Sequence, residues 1–135
     1  RMAVLRDNTP SQDATYKQDN FPGCVHLGIY EGEELIACSS WIPQAWPLDE
    51  TLPAIQLKGM AVTKRMQGSG IGAELLNAGV RHCKEEGAHY IWARARDSAL
   101  NFYARNGFDV FGEQFVDEAT GMSHHLVMKV VTRQS

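Results

Sequence analysis

Apolar residues recur along this chain with two different periods, and the period changes where the glycines fall. Residues 24–30 and 35–42 are largely apolar and are separated by Glu31-Gly32-Glu33. Short apolar runs joined by a glycine turn predict an antiparallel hairpin. Residues 54–63 form another apolar run, broken by Gly59; a glycine inside a strand marks a bulge or a close backbone approach. Over 71–86 the period lengthens to that of a helix. Ile71, Leu75, Leu76, Ala78 and Cys83 fall on one face, Glu74, Asn77, Arg81, Lys84 and Glu85 on the other, and Gly87 is placed to end it. Residues 89–95 read as strand. Asp97 or Ser98 can cap a short helix carrying Leu100, Phe102 and Tyr103, which Gly107 ends. Residues 108–116 and 122–131 close the pattern as two strands. The order β-β-β-α-β-α-β-β predicts an α+β fold, a mixed sheet with helices packed on it.

Ahead of the hairpin, residues 2–6 read as a short helix. A loop rich in turn formers follows: Asn8, Pro10, Ser11, Asp13, Asp19, Asn20, Pro22 and Gly23. No strand is therefore expected before residue 24, which leaves the hairpin edge open and favours a homodimer.

Composition narrows the function classes. A chain of 135 residues fits a single domain, 1–135, able to bury one core without staples. The formal charge of -3 has mixed signs, and no basic cluster adjoins an aromatic platform, so neither nucleic acid nor membrane is an expected partner. The three cysteines lack CxxC spacing, which argues against a disulfide framework or a metal site and fits a cytoplasmic protein. No apolar run approaches spanning length, and no signal peptide is visible.

The chemistry concentrates in a strand, a glycine turn and a helix. In Gln67-Gly68-Ser69-Gly70-Ile71-Gly72 the glycines let backbone pass close to an anion, and the following helix offers unbonded N–H groups and a partial positive charge. Ala73 and Glu74 follow Gly72, so the Lys-Ser/Thr of a Walker A loop is missing. The glycine spacing is also not that of a dinucleotide-binding fingerprint.

The turn, the preceding Gly59-Met60-Ala61-Val62 and the downstream Ser98-Ala99-Leu100-Asn101-Phe102-Tyr103-Ala104-Arg105-Asn106-Gly107-Phe108 together resemble the GNAT superfamily of acetyltransferases. The close resemblance covers about 55–108, and the tail around Gly121-Met122-Ser123-His124-His125 is similar to that of a small, poorly assigned subgroup. It implies an α/β/α sandwich whose mostly antiparallel sheet splays between its fourth and fifth strands. It also implies acetyl-CoA as cosubstrate and direct attack on the thioester by an amine of a small molecule or peptide. Carried over, Met60, Ala61 and Val62 meet the pantetheine arm through main-chain atoms. Gln67, Gly68, Ser69, Gly70, Ile71 and Gly72 hold the pyrophosphate. Arg96 and Asn101 fall among the coenzyme-contacting positions, and Tyr103 matches the family's tyrosine near the coenzyme sulfur, which can protonate the departing thiolate.

Two departures stand out. Many relatives carry a glutamate where this chain has Gln56, and an amide is no base; many carry an asparagine where it has Arg96. The acceptor's proton then leaves through water, Glu113, His26, His124 or His125. Family members usually open with one strand before the hairpin, so that strand is expected to be absent here. The alternative reading is a coenzyme A-binding sensor or interaction module with weak or no catalysis; a plain α+β interaction domain is a third.

Overall fold

A computed structural model describes Ala3–Asp7 and residues 24–131, with side chains from residue 24 onward. Seven strands form one sheet in the order β1-β2-β3-β4-β5-β7-β6. They are β1 (Ala3–Asp7), β2 (Val25–Glu31), β3 (Glu34–Pro43), β4 (Ala54–Val62), β5 (Tyr90–Arg96), β6 (Asp109–Val116) and β7 (Ser123–Val130). Helix α1 spans Ile71–Glu85 and α2 spans Leu100–Arg105. All neighbouring pairs are antiparallel except β4 with β5.

The hairpin, β4, both helices and the closing strands lie where the apolar pattern puts them. The expected helix over residues 2–6 does not form: Ala3–Asp7 is a strand, paired from Ala3↔Glu31 to Asp7↔Leu27. A segment this short cannot sustain a helix alone, and the edge of β2 offers it backbone partners. A strand thus precedes the hairpin, and the open β2 edge from which a homodimer was argued is covered. The turn-forming residues expected over 8–23 lie outside the described residues.

The apolar stripe of α1 packs against β3, β2 and β4. Ile71, Leu75, Leu76 and Cys83 are almost fully buried, whereas Glu74, Asn77, Arg81, Lys84 and Glu85 are exposed. Gly87 ends the helix in the left-handed region at φ 81°, with Ala88 N–H donating to the Cys83 carbonyl. The two sheet faces bury separate clusters. Ile55, Leu57, Ile91, Ala93, Ala95 and Val127 face the helices with Trp41. Trp46, Ala54, Trp92 and Met128 fill the other face, with Phe111 and Leu126 against them.

Two irregularities shape the centre. Strand β4 meets β5 over three residue pairs only, Ala54↔Tyr90, Ile55↔Ile91 and Gln56↔Trp92, and then the strands part. Against β3, the register steps from Ser40↔Lys58 to Cys38↔Ala61, so β4 holds one extra residue; Gly59, at φ 64°, is the glycine in that bulge.

Candidate active site

Past Gln56, β4 pairs with β3 on one side and with nothing on the β5 side among the described residues. Strand β5 from Ala93 to Arg96 likewise pairs only with β7. The notch between them therefore presents unpaired backbone groups on both walls. Met60, Ala61 and Val62 lie on its β4 wall, where the resemblance placed the pantetheine contacts.

The notch runs out at the turn after β4. Gly68 and Gly70 have φ of 83° and 89°, and a Cβ at either would meet nothing within 4 Å. Glycine is needed here for backbone conformation, and the space beside the backbone is open. Gly70 caps α1 without a side-chain hydrogen bond. The first helical bond runs from Glu74 N–H to the Gly70 carbonyl, so the N–H groups of Gly68, Gly70, Ile71, Gly72 and Ala73 have no acceptor among the described residues. Five donors on one turn, added to the helix dipole, suit a polyanion such as a pyrophosphate. Ser69 is tied to the Met66 carbonyl through both its N–H and its hydroxyl. The Gln67 amide donates to the Val62 carbonyl at 3.1 Å, so this side chain fastens the turn to the end of β4.

Tyr103 lies in α2, buried between Phe102 and Phe108, with ring centroids 5.3 Å away on each side and near-perpendicular planes. Its hydroxyl has no hydrogen-bond partner among the described residues, and burial pushes its pKa up to about 12. The phenol is thus protonated at neutral pH, and its donor is unused. Phe102 ties α2 to the glycine turn: a Cβ on Gly72 would stand 3.3 Å from Phe102 Cε1 and 3.6 Å from Val62 Cγ2. The start of α2 is held from the other side by Asp97. It accepts from Gln114 Nε2 and lies 2.7 Å from His125 Nδ1, and these two partners, Gln114 foremost, hold its carboxyl below the usual range. Asp97 therefore anchors α2 to β6 and β7, and neither it nor Ser98 makes the expected cap.

The opposite sheet face carries a different set. Gln56 is 8% exposed, and its side chain has no hydrogen-bond partner among the described residues. By strand alternation it shares this face with Lys58, Trp92, Arg94 and Arg96. One strand over, buried Ser40 lies 2.8 Å from His26 Nδ1, and Cys24 Sγ lies 3.7 Å from His26 Nε2. Arg94 is 3.7 Å from Asp117 and 5.0 Å above the Phe115 ring, which stacks on His124. Trp46 is 2% exposed and packs on Trp92 and Phe111 at 5.7 and 5.5 Å.

The remaining expected residues separate. Arg96 ends β5 and is exposed, as is Asn101 on α2. Glu113 is exposed on edge strand β6, two strands from β5. His125 faces Asp97 on the helix side, and His124 Nδ1 lies 2.8 Å from the Met122 carbonyl. Only His26 shares a polar contact within the β2–β4 part of the second face. Arg65, just before the glycine turn, pairs with Glu31 and Glu34 at 3.2 and 2.7 Å. The Ser40–His26 contact and the Asp97 anchor were not foreseen, because each joins residues set side by side only by strand register. Among the described residues no cluster of His, Cys, Asp and Glu could hold a metal ion, and no helix is long and apolar enough to cross a membrane.

The sequence profile of the acetyltransferase (GNAT) family matches residues 3–108. The uncharacterized N-acetyltransferase YitI of Bacillus subtilis strain 168 is 30% identical over 135 residues, which is 100% of this chain and 89% of YitI. Among solved structures, Escherichia coli ElaA superposes with a TM-score of 0.76 at 17% identity, covering 95% of this chain and 99% of that one. An aminoglycoside 6′-N-acetyltransferase complexed with coenzyme A superposes with a TM-score of 0.69 at 13% identity, covering 85% of this chain and 77% of that one.

Proposed function

This chain belongs to the GNAT acetyltransferase family, and we propose that it transfers an acetyl group from acetyl-CoA to the amine of a small molecule or peptide. One observation carries the reading: the β4–β5 notch leads along β4 into a glycine turn with five N–H groups unbonded among the described residues, and a buried Tyr103 hydroxyl without a partner among those residues supports it. Strand, turn and phenol match in kind what a thioester on a long pantetheine pyrophosphate requires. The donors of Gly68 and 70–73 hold the pyrophosphate, with Gln67 and Ser69 fixing the turn. The free β4 edge at Met60, Ala61 and Val62 pairs with the amide-rich arm.

In the reaction, the amine lone pair attacks the thioester carbonyl carbon as the C–S bond breaks. The carbonyl oxygen gains charge, and a backbone N–H near the bulge at Met60 stabilises it. The nitrogen loses a proton and the sulfur gains one, so the transfer from a neutral amine is balanced. A thiol ordinarily titrates near 8.5, whereas Tyr103 is held up at about 12. Its hydroxyl therefore serves the departing thiolate as a hydrogen-bond donor, and the proton on sulfur comes ultimately from the amine. An alkylammonium must shed its first proton before attack. Gln56 cannot take it, and water is the simplest acceptor.

The test is calorimetric titration of the folded chain with acetyl-CoA, with desulfo-CoA as competitor, followed by amine-dependent release of thiol. Tight, competable binding with turnover supports the reading. No binding removes it. Binding without turnover on any amine leaves the second reading, a coenzyme A-binding module, which the neutral residue at Gln56 favours.

A further inference from the structure

Resting on the acetyl-transfer reading of the same site, we propose that the acceptor is an amine that also carries an oxyanion, a carboxylate or a phosphate, received by Lys58 and Arg96 across the β4–β5 opening. The last paired row, Gln56↔Trp92, marks where the strands part. On the face opposite α1, Lys58 comes two residues beyond it on β4, and Arg94 and Arg96 come two and four residues beyond it on β5. At a strand rise of about 3.3 Å these positions lie roughly 7 Å and 13 Å past the row. The divergence is thus flanked by three cations, one on one wall and two on the other.

Only one of the three is neutralised among the described residues. Arg94 faces Asp117 and Phe115, while Lys58 and Arg96 make no ion pair. Asp117 is the carboxylate that meets this group, and it is already turned to Arg94; Glu113 stands two strands away on β6. The floor of the opening is Gln56, a buried neutral amide without a hydrogen-bond partner among the described residues. A polyamine or another cationic acceptor would meet like charge here, with no free carboxylate among the described residues of this group to receive it. An acceptor bearing an oxyanion meets complementary charge, which steers and orients it.

The same arrangement bears on the missing base. With its oxyanion held further out, the acceptor's amine lies toward Gln56, and both burial and nearby cations disfavour an ammonium there. The neutral, nucleophilic form is then favoured without a carboxylate at that position. Lys58 and Arg96 are specificity-determining residues in this reading, and Gln56 receives the amine.

The experiment follows thiol release from acetyl-CoA by the 135-residue chain with matched acceptors. Free amino acids are set against their carboxamides, phosphoethanolamine against ethanolamine, and putrescine serves as the dicationic member. The anionic members are expected to show kcat/KM higher by about tenfold or more, the effect of one or two charge-assisted contacts. Preference between carboxylates and phosphoethanolamine tells the two oxyanions apart. Lys58→Gln is expected to raise KM for the anionic acceptors by about tenfold while leaving KM for acetyl-CoA alone. Arg96→Gln gives the second measurement should the first variant fold poorly. Turnover confined to the carboxamides and putrescine, no turnover on any anionic member by a chain that binds acetyl-CoA, or variants that change only KM for acetyl-CoA would each overturn the inference. Failure to bind acetyl-CoA at all would instead remove the acetyl-transfer reading beneath it.

Discussion

Replacing Tyr103 with phenylalanine separates catalysis from folding in one substitution. The phenol is buried between Phe102 and Phe108, its hydroxyl bonds to nothing among the described residues, and its pKa is pushed up to about 12 by burial alone. A phenylalanine keeps the ring contacts. Losing an unpartnered buried hydroxyl removes a desolvation cost of about 1–3 kcal/mol, so the variant is expected to be as stable as the parent or slightly more so. If the hydroxyl donates to the departing thiolate, removing it costs about 1.5–3 kcal/mol of barrier. That is a loss of roughly 10- to 150-fold in turnover.

The sign of the pH effect follows from the same shift. Tyr103 titrates at 10 when unfolded and about 12 when folded, so the unfolded chain releases its proton first as pH rises. The stability linked to this group is complete below pH 10 and is lost between 10 and 12. Tyr103→Phe should lack that loss, as measured by urea unfolding at pH 9 and 11. Turnover is measured as thiol release in a single-turnover format, so that chemistry and not product release sets the rate. Turnover within about twofold of the parent would refute the thiolate role. A drop in stability larger than about 1 kcal/mol would show that the hydroxyl has a structural partner.

Gly70→Val puts a β-branched residue at φ 89° in a spot where nothing lies within 4 Å. It should keep the circular dichroism of the parent and raise KM for acetyl-CoA on the order of tenfold or more; an unchanged KM would contradict the phosphate role of the turn. Gly79→Ala adds a methyl 1.8 Å from Trp41 Cζ2, on a ring that is fully buried and donates to Ser39 Oγ. The helix-propensity gain of about 1 kcal/mol is outweighed by overpacking of about 1–3 kcal/mol or more, so thermal unfolding should show a lower Tm. Asp97→Asn removes a carboxyl held below its ordinary range by Gln114 and His125. That carboxyl stabilises the fold at neutral pH and loses its contribution as pH falls through the carboxylate range toward its lowered folded value. The variant should melt earlier at pH 7 and depend less on acid; an unchanged acid profile would remove Asp97 as the anchor of α2.

What could be read from the residues was what local chemistry dictates. The hairpin around Gly32, the bulge at Gly59, the two-sided α1 and the glycine turn each carry their signal within a few residues, and each forms as expected. What could not be read depends on partners distant in sequence. Ala3-Val4-Leu5-Arg6-Asp7 suits a helical turn as well as a strand, and only the free edge of β2 decides. Asp97 has the residue type and place of a helix cap, yet β6 and β7 bring Gln114 and His125 to it first. Trp46 is a large apolar residue in a loop between prolines, and its partners Trp92 and Phe111, which it meets in the second core cluster, come from strands far along the chain. The pairing of His26 with Ser40 depends on the β2–β3 register, and that register is shifted by an irregularity at Ile29 and Tyr30.

The Gly59 bulge connects these parts into one site. In an unbroken strand, Met60 and Val62 would follow Gln56 and Lys58 onto the face opposite α1. The extra residue resets the alternation, so Met60 and Val62 pack against the helix-side core while Lys58 stays with Gln56. Val62 thereby reaches the position where it and Phe102 flank Gly72, and Phe102 leans on Tyr103. A single inserted residue thus lines Val62 up with the glycine turn and with Phe102, next to Tyr103, while Lys58 stays on the far face with Gln56. Deleting Gly59 should therefore disturb coenzyme binding and Tyr103 placement together, where a change confined to the turn would disturb only the first.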